Sequence, residues 1–362
     1  MRLALFEGDG IGYEVSQAAR RLAEEMFRFM GITHEIVTVP VGWSALCETG
    51  STFPSEALAA AREADGIILG PLDLAHYPAP GLGGLDPERE LIRELRLHSR
   101  FLPARTYAGV TSPFRPSVDL LVVRDNTDGM FADRGAPEGP FEMMPTPDLA
   151  LSTRKVTREG IENLARSAFE TARFRRQHVT AAHQADAMPV SEGLFLQTMR
   201  DVAADYPEVE YHEESVDRMA AWLERDPARF DVIVTTSLFG RILSQQAAQV
   251  TGSHRISASL SAGYSHVMAR AHHGPALSLA GQNVANPTSM LSSTGFMMAY
   301  LGHQAACDRL IRVASTVQQT LTEVLARPEW RTADLHGPLS THEYTDLVIE
   351  LALARLGAAP VA

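Results

Sequence analysis

Two cysteines, Cys47 and Cys307, are too few for a disulfide framework in a chain of 362 residues. Neither stands in a metal-type cluster, so both read as packing residues, and a reducing cytoplasm is the expected location. No stretch approaches the ~20 consecutive apolar residues that a membrane span needs. The opening run Met-Arg-Leu-Ala-Leu-Phe turns acidic and glycine-rich before it reaches the length of a signal-peptide core. Basic residues are outnumbered, 32 against 44 acidic ones, and the net charge of −12 argues against a nucleic-acid or anionic-membrane partner. Internal repeats and long low-complexity tracts are missing as well.

What is present is an ordinary globular composition, 45% hydrophobic, in a chain longer than one core usually serves. Apolar runs at 2–6, 36–40 and 66–69 alternate with helical spacing at 14–30 and 55–63. That alternation predicts an α/β sheet with helices on its faces. Further helices are predicted over 87–97, 158–176, 238–249, 289–301, 307–326 and 344–356. Further strands are predicted at 119–124, 179–182 and 231–235. The segment 131–150, rich in Pro, Gly and Met, has no helical period and reads either as an extended arm against a partner or as a surface loop. The stretch 251–273 reads only as a Ser-, Gly- and His-rich region.

Gly8-Asp9-Gly10-Ile11-Gly12 alone indicates a tight strand-to-helix turn, since its third glycine comes one residue too early for the dinucleotide fingerprint. Read in order with seven other segments, it carries more. Glu7 to Val15 is similar to GDGIGPEV, Leu69-Gly70-Pro71-Leu72 to KGPL, and Arg124 to Gly129 to RENTEG. His183-Gln184-Ala185-Asp186 stands where HKAN would, Val216-Asp217 on a conserved VD, and Leu238 to Gln245 on LFGDILSD. His273-Gly274 through Asn286-Pro287 follows HGSAPDIAGKGIANP, and Thr341 to Asp346 follows TxEFTD. Together these segments resemble the β-decarboxylating dehydrogenases, the isopropylmalate, isocitrate and tartrate dehydrogenase family, from end to end.

The resemblance implies an α/β, isopropylmalate-dehydrogenase-like, two-lobed fold that is not a Rossmann fold. One lobe would comprise 1–97 and 253–362, with a nucleotide loop holding NAD or NADP through His273, Gly274, Ser278 and Asn286. The other, 98–252, would carry the interface of a homodimer and the arm. The site would lie between the lobes and take residues from the partner. Family chemistry uses a divalent metal on three aspartates, a lysine base and a tyrosine acid.

This chain departs from that set. Of the three metal aspartates only Asp217 remains; the others are Arg241 and Gln245, one helical turn apart. The lysine position is Gln184, which has no proton-accepting side chain near neutral pH, and the tyrosine position is Phe131. Of the substrate arginines Arg124 remains. The other two align with Ile92 and Leu102, with Arg93, Arg96 or Arg100 as substitutes. The nicotinamide-side glutamate falls on Arg270 and the ribose-binding acid on Ser278. A guanidinium repels a hard cation, so the divalent metal is expected to be absent and no metal ligand is named. The expected substrate is a small carboxylic (hydroxy) acid, bound by Arg124, Arg241, Gln184 and Gln245. Asp217, Asp186 and His183 are the candidate proton carriers. For Asp217 an ion pair with Arg241 is equally expected, and for His183 a backbone-bonded structural role. The alternative is a non-catalytic homologue that binds a ligand or serves as a regulatory subunit.

Overall fold

The computed structural model describes residues 1–113, 117–130 and 141–358. It divides into two compact units, Met1–Arg96 with Tyr107–Thr111 and Gly252–Ala362, and Leu97–Thr106 with Ser112–Thr251.

The first unit opens with β1 (Arg2–Phe6), α1 (Gly12–Phe29), β2 (Glu35–Thr38), α2 (Trp43–Thr49), α3 (Ser55–Glu63), β3 (Gly66–Leu69) and α4 (Pro87–Glu94). β1 pairs in parallel with both β2 and β3. α1 buries Val15, Ala19, Leu22, Ala23 and Met26, the stripe its spacing announces. The turn between β1 and α1 needs its glycines. Gly8 and Gly10 both have positive φ, and a Cβ on them would stand 2.3 Å from the Pro71 carbonyl oxygen and 2.1 Å from that of Pro275. α4 is N-capped by Asp86, whose side chain accepts from the Arg89 amide, and it stops at Glu94, before the predicted end at 97.

The second unit contains β4 (Ser99–Arg105), β5 (Asp119–Asp125), β6 (Glu142–Thr146), β7 (Leu149–Ser152), α5 (Arg158–Arg173), β8 (His178–His183), α6 (Ser191–Ala203), β9 (Glu210–Ser215), α7 (Val216–Arg225), β10 (Val232–Thr235) and α8 (Ser237–Val250). Its sheet runs β4-β5-β10-β8-β9, with β4 antiparallel to β5 and the other pairs parallel. β5 and β10 are buried on both faces, which is why they read as continuous apolar runs. Leu120 and Val122 pack with Ile233, Met219, Leu223 and Leu243 under α7 and α8. β6 and β7 form a hairpin exposed throughout.

The chain returns to the first unit as β11 (Ala258–Ala262), β12 (Val267–Ala271), α9 (Thr288–Gln304), α10 (Asp308–Ala326) and α11 (Thr341–Ala358). β12 joins β3 in parallel and pairs antiparallel with β11. These two strands lie in the stretch 251–273, whose sequence shows only richness in Ser, Gly and His. Their small residues, Ala258, Ser259, Ser261 and Ala269, are all buried, and Ser259 N–H donates to Ser293 Oγ on α9 at 3.0 Å. α9 is apolar and small-residued almost all round, as a helix covered on every side must be.

Candidate functional site

Four strands of the second unit end along one edge. β10 pairs Thr235 with Arg124 on one side and with Ala182 on the other, and β8 pairs His183 with Ser215. Arg124, Thr236, Gln184 and Asp217 are thereby lined up at the carboxyl ends of parallel strands, where open α/β sheets bind ligands.

Each position has a local cause. Asp125, buried at the end of β5, accepts the Thr127 and Asp128 amides at 2.9 and 3.0 Å and so folds the turn after Arg124. Burial pushes the Asp125 carboxyl up to about 6. Asp128 accepts from the Thr157 amide at 2.9 Å and lies 3.3 Å from Lys155 Nζ. Gly240 lets α8 approach, since a Cβ there would meet the Arg124 Cβ at 2.4 Å. Across the β4–β5 ladder Arg100 is the register partner of Arg124. Of the three substitute arginines, Arg93 bonds Glu90 and Glu94, Arg96 turns the chain with φ 50°, and only Arg100 shares a strand pair with Arg124. Ile92 and Leu102 supply no charge; Leu102 is core.

Gln184 follows β8. Its amide N–H donates to Glu192 at 3.0 Å, and its Nε2 donates to Asp217 Oδ2 at 3.2 Å. Its Oε1 is a buried acceptor without a partner, and so is the buried Ser237 Oγ at the start of α8. The carboxylate of Asp217 therefore meets Gln184 and not, as one expectation had it, Arg241. His183 Nδ1 accepts the Ala185 amide at 3.1 Å, the backbone-bonded state expected of a structural histidine, which leaves the ring proton on Nε2. Asp186 is exposed beyond it, and Arg241 and Gln245 are exposed on α8 one turn apart. Phe131 lies outside the described residues.

Sequence reading missed Arg154 and Glu192. Glu192 is fully buried, ion-paired with Arg154, and holds the Gln184 amide; Arg154 also donates to Thr236 Oγ1 at 2.8 Å. The pair ties the loop after β8 to the start of α8. A signal existed, because Glu192 is the one charged residue in the buried stripe of α6.

In the first unit, the loop 273–287 is pinned at several points. Pro275 carbonyl accepts from Ile11 N–H at 2.8 Å, Glu14 Oε1 from Asn283 N–H at 2.7 Å, and Ala285 carbonyl from Thr341 Oγ1 at 2.6 Å. Asn286 Nδ2 donates to Asp334 at 3.2 Å while its Oδ1 accepts from Thr288 N–H at 3.0 Å. His273 Nδ1 donates to the Gly274 carbonyl at 3.1 Å, and its Nε2 is buried with no partner. Burial holds the His273 pKa below the usual histidine range. Leu277, Leu279 and Val284 stand exposed on the same loop, and Ser278 offers its carbonyl to Gln282 Nε2 at 2.6 Å. Arg270 is ion-paired with the buried Glu88. Asp9 is structural. Its carboxylate takes the Trp43 amide at 2.8 Å, the Asp73 amide at 2.9 Å and the Tyr77 hydroxyl.

The expectation of no metal-ligating group needs correction. Among the described residues one group of three or more metal-ligating side chains exists, His178, Glu210 and His212, and it does not include Asp217.

Residues 2–348 match the family model for isocitrate/isopropylmalate dehydrogenase. An isocitrate/homoisocitrate dehydrogenase of Thermus thermophilus is 34% identical over 350 residues, 96% of this chain and 98% of that protein. A 3-isopropylmalate dehydrogenase of Archaeoglobus fulgidus is 33% identical over 351 residues, 97% and 99% of the two chains. Among solved structures, isocitrate dehydrogenase from Methylococcus capsulatus is similar with a TM-score of 0.81 at 30% identity, over 97% of this chain and 99% of that one.

Proposed function

We propose a function from one premise: the chain belongs to the isocitrate/isopropylmalate dehydrogenase family. It acts on a small carboxylic acid, a hydroxy acid in the redox form of the reaction, with diverged chemistry. The observation that carries this reading is the Gln184–Asp217 pair at the carboxyl edge of β8 and β9, with an unpaired buried Gln184 Oε1 beside it. A carboxylate held by an amide donor is an acceptor for a substrate hydroxyl proton. Arg124, with Arg100 opposite it, binds the substrate carboxylate. Arg241 and Gln245 complete the acid-binding set.

The metal positions hold Asp217, Arg241 and Gln245. One carboxylate, one guanidinium and one amide are not a ligand set for a hard divalent cation, and no step is routed through one. The 273–287 loop fits a nucleotide: His273 Nε2 is a buried polar atom awaiting a partner, next to exposed apolar side chains. NAD or NADP, when bound, supplies the hydride acceptor. The chain's own work is binding and proton movement. Asp217, held by Gln184 Nε2, accepts the hydrogen bond of the substrate hydroxyl and takes its single proton as the carbinol carbon becomes a carbonyl. Asp186, exposed just beyond, is the next proton carrier toward solvent.

The chain works as a homodimer in the cytoplasm. The β6–β7 hairpin exposes Met143, Met144, Leu149 and Leu151, and a lone two-stranded hairpin is marginal in water. A second copy covers it. No described helix is long and apolar enough to cross a membrane.

The test is turnover with NAD and NADP over a panel of hydroxy acids, with and without chelator. Chelator-resistant turnover lost in Asp217→Asn is expected. Robust rates on isocitrate or isopropylmalate abolished by chelator would overturn the metal-free reading. A second reading, a non-catalytic ligand-binding homologue, is favoured by one observation: Gln184, Arg241 and Gln245 offer no group that accepts a proton near neutral pH. It predicts ligand-induced thermal stabilisation with no turnover of any acid.

A further inference from the structure

The second unit's sheet ends at β9, whose sequence Glu-Tyr-His-Glu-Glu-Ser is almost free of apolar residues. Charged edge strands are a common defence against edge-to-edge pairing, and Glu213 and Glu214 fit that role. Glu213 is held by Arg200 with two bonds of 2.7 Å, and Glu214 pairs with Arg218 at 3.1 Å. Glu210 differs. It has no arginine partner and instead meets His212 Nε2 at 2.6 Å.

The pleat and register explain the grouping. Side chains at 210 and 212 share a face of β9. The parallel ladder sets His178 opposite Glu210 and Thr180 opposite His212, so both histidines and the glutamate project to the same side. The rings of His178 and His212 lie 5.0 Å apart, edge to face. Ligand atoms of all three residues fall within 4.8 Å of one another. They border a cavity of about 410 Å³, also lined by Thr180, Arg176 and Asp231. Asp231 is no fourth ligand, because it is fully engaged by Arg175 Nε and the Arg176 amide, both at 2.8 Å.

From this geometry we infer that His178, Glu210 and His212 form a binding site for a divalent transition metal of the zinc class. Two imidazoles and one carboxylate are a donor set suited to zinc, nickel or copper and not to magnesium. At metal–ligand distances of about 2.0–2.2 Å the donor atoms must draw to roughly 3.3 Å apart. Side-chain rotation of exposed residues supplies that closure, and water fills the remaining position. The site is remote from Asp217. His178 opens β8 and Gln184 follows its last residue, a separation of about 20 Å along an extended strand. Bound metal staples β9 to β8 and secures the open edge of the sheet.

The test uses the full chain, stripped by chelator and titrated with zinc chloride in a calorimeter. One zinc per chain with a micromolar or tighter Kd is expected, with a Tm several degrees higher at saturation. His178→Ala and His212→Ala should each weaken binding at least about 30-fold, and Glu210→Gln should weaken it less, while Asp217→Asn leaves it unchanged. Glu210 and His212 are exposed, so their variants should keep the metal-free Tm and fold. Zinc binding that is undetectable, that survives both histidine variants, or that is lost in Asp217→Asn would overturn the assignment.

Discussion

Arg100 and Arg124 are paired in register across the β4–β5 ladder, two guanidinium side chains on one face of the sheet. Like charges directly opposite are unfavourable in a ladder, and under the proposed function the carboxylate of the acid offsets that. Replacing Arg124 with Met should weaken binding of the acid by about 10–100-fold, the range for losing a hydrogen bond to a charged group. Arg124→Lys should recover only part, since an ammonium lacks the two-pronged geometry. Isothermal titration with the acid that gives the largest thermal shift checks both, and undiminished affinity in Arg124→Met would remove Arg124 from the site.

The Arg100 relationship also marks where sequence reading runs out. The predicted helix over 87–97 drew attention to arginines at helical spacing, but α4 ends at Glu94 and β4 begins at Ser99. Once the chain is extended, a residue's face is set by a period of 2, and the pairing of Arg100 with Arg124 depends on a partner strand some twenty residues away. β3, β5 and β10 were legible because burial on both faces writes an uninterrupted apolar run. β11 and β12 were not, because Ser259 of β11 and the Arg270 carbonyl of β12 meet Ser293 of α9, a long-range fact. The His178–Glu210–His212 group was hidden for the same reason: the alternation Glu-x-His is visible at 210–212, but its third member stands on another strand.

Glu192 should matter for stability more than for affinity. It is fully buried and pairs with Arg154, itself 12% exposed. Glu192→Ala leaves a largely buried guanidinium without its partner and the Gln184 amide without its acceptor. A loss of about 3–5 kcal/mol is expected. Glu192→Gln keeps an acceptor for the amide and should cost less. Urea unfolding of the three proteins orders them, and an Ala variant as stable as the parent would show that the loop after β8 is held by something else.

Under the proposed function, a change at His273 tests nucleotide binding apart from acid binding. Its Nδ1 is spent on the Gly274 carbonyl and its Nε2 is buried without a partner. His273→Ala should abolish the Tm rise given by NAD or NADP while the rise given by the acid persists. If the nucleotide shift is unchanged in the variant, the loop 273–287 is not the nucleotide site.

Stability should depend on pH through Asp125 and His98, with opposite signs. Burial raises the Asp125 carboxyl to about 6 from 3.8, so the folded chain holds that proton more tightly than the unfolded chain. Stability from this group is greatest at acidic pH and is lost as pH rises from about 4 through 6. The rise in the Asp125 pKa corresponds to about 3 kcal/mol at neutral pH. Asp125→Asn keeps an acceptor for the Thr127 and Asp128 amides and carries no charge, so it should be more stable than the parent at pH 7, with the difference vanishing near pH 4. His98 is held neutral by burial, its pKa lowered to about 4 from 6.5. The unfolded chain takes that proton first, so this group destabilises the fold as pH falls from 6.5 toward 4. His98→Gln should flatten that acid limb and leave the alkaline side of the profile alone. Thermal melts of both variants across pH 4–8 separate the two effects. A less stable Asp125→Asn at pH 7 would mean that the turn after Arg124 requires a charged acceptor, and the carboxylate at 125 would then be an anion stabilised by its two amides.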